Sequence, residues 1–204
     1  MGTGRGVRYC WLAFAVLRMD GTPFSVVDTN VLLNLATPVV DAREVAPSGA
    51  DPLKALLVSY DVHTPASVIG ELSATTGSGD LLSAAADLVL QSTRYVTTHD
   101  VDAQLDEPLE YGLDTGESAC IWLANKYDAD LFITDEFNST NYLFVSLALD
   151  DRNTLFTTPH VLCKLATRDI LPTTYVQAAL GYYVETKQWD TQYIAQLRRQ
   201  YLIE

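Results

Sequence analysis

The sequence predicts an α/β domain: a parallel sheet flanked by helices on both faces. Two observations carry that reading. Short apolar or β-branched runs fall at 24–28, 61–64, 95–98, 131–134 and 155–158, and segments of helical periodicity separate them. Strands that alternate with helices in this way build parallel sheets covered on both faces. The second is size: 204 residues, 48% of them apolar, can bury one sizeable core.

Residues 1–23 read as an N-terminal extension. Gly-rich turns and two arginines precede the apolar run 10–17, no small-residue cleavage site follows it, and Met19 offers a second start. From Phe24 the pattern is regular, with 24–168 as the main domain and 169–204 as a helical C-terminal extension. Phe-Ser-Val-Val-Asp at 24–28 is a strand, and 29–36 is the helix leaving it. A polar loop is expected over 38–52, a helix over 53–60 and a strand over 61–64. Thr64 then serves as N-cap and Pro65 as first-turn proline of a helix running through Glu71 and Leu72. Thr-Thr-Gly-Ser-Gly at 75–79 links to a helix over 80–91, a strand over 95–98 and an acidic loop over 100–111. A strong helix covers 114–127, and Leu-Phe-Ile-Thr at 131–134 is a strand ending at Asp135. A helix to Leu149, a strand at 155–158 and three helical stretches complete the chain. Tyr175, Tyr182, Tyr183, Trp189, Tyr193 and Tyr201 make the C-terminal tail aromatic, for helix packing or for a partner surface.

Charge narrows the function classes. There are 26 acidic residues against 13 basic ones, 18 of the acids are Asp, and only four of the bases are Lys. The excess is dispersed along the chain, as on haloarchaeal surfaces, where molar salt screens self-repulsion. It argues against a protein that grips nucleic acid by a broad basic face. The longest apolar run, eight residues, falls short of the ~20 that span a bilayer. Cys10, Cys120 and Cys163 lack metal or disulfide spacing and read as reduced, buried residues of a cytoplasmic protein. His63, His99 and His160 have no partners at metal or triad spacing, and no nucleophile elbow or P-loop is present.

The carboxylates carry the chemistry. Parallel sheets gather active groups at the carboxyl ends of their strands, and two strands end in aspartate, at Asp28 and Asp135. Glu71 and the pair Asp114 and Glu117 add acids on two helices. Carboxylates packed together stay ionised only around a cation, and hard oxygen donors suit Mg²⁺ or Mn²⁺. Each acid has a plainer role too. Asp28 can be a turn residue, Glu71 a solvated surface acid, Asp114 an N-cap with Glu117 reaching back, and Asp135 the cap of a following helix.

In order along the chain, four segments resemble the motifs of PIN-domain nucleases. They are Val-Val-Asp28-Thr-Asn30, Thr64-Pro65 through Glu71-Leu72, Leu113-Asp114-Thr115-Gly116-Glu117, and Ile-Thr134-Asp135-Glu136. The resemblance implies a Mg²⁺- or Mn²⁺-dependent endoribonuclease, akin to VapC-type toxins and ribosomal-RNA-processing enzymes. Asp28, Glu71, Glu117 and Asp135 would be its catalytic and metal-holding acids. Asn30, Asp114, Glu136 and Asn138 would support them, with Asn141 as a further candidate. Glu136 competes with Asp135 for the fourth position. RNA is the implied substrate, an antitoxin or a second copy of the chain the implied partner, and no membrane is involved. Two other classes stay open: a non-catalytic PIN-fold regulatory module, and a phosphatase using Asp28 as nucleophile, for which Asn30 stands where a general acid is usual.

Overall fold

A computed structural model describes residues 21–41, 50–105, 109, 111, 113–135, 139–150 and 154–202, with the backbone alone for 139–143. The extension 1–20, Cys10, Glu136 and Asn138, and the side chain of Asn141, lie outside the described residues. The chain forms the expected α/β architecture, consistent with a PIN-like arrangement. Strands β1 (Phe24–Val27), β2 (Asp61–Pro65), β3 (Thr97–His99), β4 (Leu131–Ile133) and β5 (Thr154–Phe156) make one sheet, ordered β3-β2-β1-β4-β5. All four pairings are parallel.

The order locates the site. From β1 the chain steps outward to β2 and β3 through helices α1 (Thr29–Val40), α2 (Pro52–Ser59), α3 (Ala66–Thr75) and α4 (Leu81–Gln91). It then crosses back through α5 (Thr115–Lys126) to β4, and through α6 (Ser139–Ala148) to β5. Right-handed crossovers taken in opposite directions lay their helices on opposite faces. The crossovers therefore diverge between β1 and β4, and a crevice opens at the carboxyl ends of these two strands. Ser25, Val26 and Val27 are fully buried, as a central strand covered on both faces requires.

Several boundaries differ from the sequence reading. Helix α1 runs past its expected end and includes Pro38. A helical proline removes the N–H that would bond the carbonyl four residues back, here that of Asn34. The Tyr183 hydroxyl donates to that carbonyl instead, at 2.6 Å. Thr64 does not cap α3. Its hydroxyl donates to the Val27 carbonyl inside the sheet, and the N-cap is Pro65, which offers no side-chain bond. Strand β3 begins later than expected, after a 3₁₀ turn at Thr93–Tyr95, and Thr158 opens a helix instead of closing a strand. On β2 and β3, a ring nitrogen of His63 lies 2.8 Å from one of His99, and its other nitrogen lies 3.2 Å from Asp61.

The C-terminal helices α7 (Thr158–Thr167), α8 (Thr173–Lys187) and α9 (Thr191–Tyr201) share the core of the main domain. Tyr175, Val176, Leu180, Tyr183, Ile194 and Leu197 are all buried in it. Among the described residues, no helix is long and apolar enough to cross a membrane.

The pairing of Pro38 with Tyr183 is measurable. Tyr183→Phe orphans a buried carbonyl and is expected to cost about 1–3 kcal/mol in chemical denaturation. In a Pro38→Ala background the helix supplies its own N–H, so the same change should cost at least ~0.5 kcal/mol less. Equal costs in both backgrounds would mean that the hydroxyl does not stand in for the missing donor.

Candidate active site

Asp28 follows β1 directly and caps α1. One carboxylate oxygen accepts from the Thr29 N–H at 2.6 Å, the other from the Thr134 hydroxyl at 3.2 Å. Its own N–H donates to the Ile133 carbonyl at 3.1 Å, which fixes it across the β1–β4 crevice. Only 5% of the residue is exposed. Burial raises its pKa to about 7 against the two hydrogen bonds, and the like charges of Asp135 and Glu71 add to the rise.

Asp135 follows β4 on the other side of the crevice. Asn34 of α1 donates its amide to the carboxylate at 2.7 Å, and Thr158 donates both its N–H, at 2.8 Å, and its hydroxyl. Asp135 thus satisfies the first residue of α7, while residues 136–138, which lead into the helix the sequence suggested it would cap, lie outside the described residues. Burial raises its pKa, while the bonds from Thr158 and Asn34 and the charge of Lys187 oppose the rise.

Glu71 lies on α3 with a carboxylate that accepts from the Thr29 hydroxyl. Its other oxygen fills the space over Gly116, where a Cβ would sit far inside van der Waals contact. Asp114 is the N-cap of α5, accepting from the Glu117 N–H at 2.8 Å, so the capping role expected for it holds. Glu117 is partly buried in the first turn of α5. Asn30 is exposed on α1. Burial raises the pKa of the Cys120 thiol, and Asp28 and Glu71, from other elements, add to the rise along with Asp114 and Glu117 of its own helix end. Burial keeps that thiol protonated and unreactive, as expected for a core cysteine.

The N-termini of α1, α5 and α7 therefore meet a set of carboxylates at one sheet edge, where helix dipoles favour negative charge. The donor set is all hard oxygen, which fits Mg²⁺ or Mn²⁺ in chemistry and charge. The spacing is not yet that of a ligand shell. Among the described residues, no three His, Cys, Asp or Glu side chains form a group able to hold a metal. Each carboxylate instead leans on a neutral donor: Glu71 on Thr29, Asp28 on Thr134, Asp135 on Thr158 and Asn34. None of these four neutral residues was a site candidate from the sequence, although Thr29 and Thr134 stand inside the first and fourth motif segments. Asn34 had a further signal, a lone amide inside Val-Leu-Leu-Asn-Leu-Ala; Thr158 had none.

No family model, no curated protein and no solved structure matches the chain.

The raised pKa of Asp28 has a stability consequence. Its folded value, about 7, lies above the ordinary 3.8, so between these pH values the folded state holds a proton that the unfolded chain has lost. The group's contribution is complete below about pH 4 and is lost as pH rises through 7. Asp28→Asn, with no proton to lose, should melt close to the parent at pH 4 in metal-free buffer. At pH 8 it should be more stable by a few kcal/mol, at ~1.4 kcal/mol per pKa unit. Identical melting at pH 8 would put the Asp28 carboxyl in the ordinary range.

Proposed function

We propose that the chain is a metal-dependent endoribonuclease of the PIN-domain type. The observation that carries this reading is Asp28, buried at the β1–β4 switch point and destabilised as an anion by Asp135 and Glu71. A divalent cation held by Asp28, Glu71, Glu117 and Asp135 would supply Lewis-acid charge to the phosphodiester and acidify the attacking water. The chain's own residues prepare that chemistry. Thr134 and the Thr29 N–H hold the Asp28 carboxylate, while Asn34 and Thr158 hold that of Asp135. Asp114 caps α5 and so sets the turn that carries Glu117. Gly116 leaves the room in which Glu71 approaches that turn.

A second reading, a non-catalytic regulatory module with the same architecture, is favoured by the neutral donors that already hold Asp28, Glu71 and Asp135. An antitoxin or a second copy of the chain is the proposed protein partner, and a cytoplasmic location belongs to the same proposal.

Total RNA incubated with Mn²⁺ at molar salt, with products mapped at their ends, separates the two readings. Cleavage is expected with Mn²⁺, none with a chelator, and none for Glu117→Gln. Asp114→Asn should remain active, because Asn caps as well as Asp. Gly116→Ala keeps a helix-favouring residue and so folds. Its methyl displaces the Glu71 carboxylate, and cleavage should fall about 10–100-fold, as for other lost supports of a metal ligand. No Mn²⁺-dependent product from any variant would favour the regulatory module.

A further inference from the structure

A cavity of about 710 Å³ opens beside the carboxylate edge, between the N-terminal end of α7 and the turn from α8 into α9. Thr134 and Asp135 form part of its wall, so it is continuous with the crevice. His160, Lys187, Trp189 and Tyr193 are among its other lining residues. We propose that this cavity is a nucleobase subsite, which seats one unstacked base of single-stranded RNA next to the phosphodiester to be cut. The proposal rests on the ribonuclease reading for its substrate class, and it gives the C-terminal extension a role.

Three features favour a base. The aromatic walls are set in advance. Trp189 stacks on Tyr183 with ring centroids 4.8 Å apart and planes 26° from parallel, and Tyr183 is itself fully buried and bonded to Asn34. His160 stacks on Phe156 at 5.0 Å and 20°, and the Tyr193 hydroxyl lies 2.8 Å from that of Thr157. Rings held in this way lose little freedom when a base joins them. The charge pattern is the second feature. Asp135 and Asp190 repel a phosphate chain, and Lys187 is the only Lys or Arg among the described lining residues. A base's π-face is neutral, so stacking on an aromatic side chain does not depend on the sign of the surrounding charge. The third is the position of the α8–α9 turn. Helix α8 ends at Gln188 with φ of 56°, a left-handed residue between Lys187 and Trp189, so the cation and the indole leave one turn on the same cavity.

The test uses the full chain at molar salt with a chelator, so that nothing is cleaved, and a ribo-adenosine hexamer as the probe. The hexamer should bind and quench tryptophan fluorescence. The signal should vanish in Trp189→Phe, while a separation-based assay still finds binding within about threefold of the parent. Trp189→Ala should weaken binding about tenfold or more. Lys187→Glu, at an exposed position, should also weaken it. Affinity should fall only gently with salt, with a logarithmic slope near the −0.7 of one phosphate contact. The same hexamer in a duplex, with its bases stacked away, should bind at least tenfold more weakly. No binding at millimolar hexamer, equal binding of the duplex, or binding indifferent to both Trp189→Ala and Lys187→Glu would overturn the subsite. Hexamer binding with this dependence, in a protein that cuts no RNA with Mn²⁺, would leave the subsite standing and remove the nuclease reading instead.

Discussion

A carboxyl group buried between two strands has to be neutralised, and the arrangement around Asp28 follows from that requirement. Its position is dictated by the sheet. The backbone leaves β1 at the point where the crossovers diverge, and the bond from the Asp28 N–H to the Ile133 carbonyl ties it to β4. Water is excluded there, so two hydrogen bonds and the end of α1 cannot hold its proton affinity in the ordinary carboxylate range. Below about pH 7 a proton meets the requirement in the metal-free protein. A divalent cation would meet it better, because it would answer Glu71 and Asp135 at the same time.

The carboxylates depend in turn on residues that carry no charge. Thr29 serves two of them, through its N–H to Asp28 and its hydroxyl to Glu71. Asn34 links the C-terminal helices to the site: its side chain holds Asp135, and its carbonyl receives Tyr183 from α8. Pro38 creates the need for that second bond, so a local irregularity in α1 becomes the anchor of the C-terminal helices. Tyr183 then backs Trp189. A continuous set of contacts therefore runs from Asp135, through Asn34 and Tyr183, to the aromatic wall of the neighbouring cavity.

How much of this was legible in the sequence depends on how local each determinant is. The strands ending at Asp28 and Asp135 were readable because short apolar runs closed by aspartate need no distant information. The Asp114 cap was readable for the same reason. Helix α1 was cut short because proline usually ends a helix, and the donor that permits its continuation lies 149 residues away. Thr64 followed by proline has the look of a cap, yet the sheet uses its hydroxyl. The contact of His63 with His99 joins neighbouring strands 36 residues apart in sequence, so no spacing rule could reveal it. The strand order, which brings β1 beside β4 and so defines the crevice, likewise depends on pairings across the whole chain.

The direct measurement is the titration of the Asp28 carboxyl itself, followed by ¹³C NMR in metal-free protein at molar salt and repeated with Mg²⁺. The account predicts a midpoint near the value of about 7 set by burial, falling by at least ~1 unit when Mg²⁺ is present, since a nearby opposite charge favours the ionised form. A midpoint near the ordinary 3.8, unmoved by Mg²⁺, would contradict it.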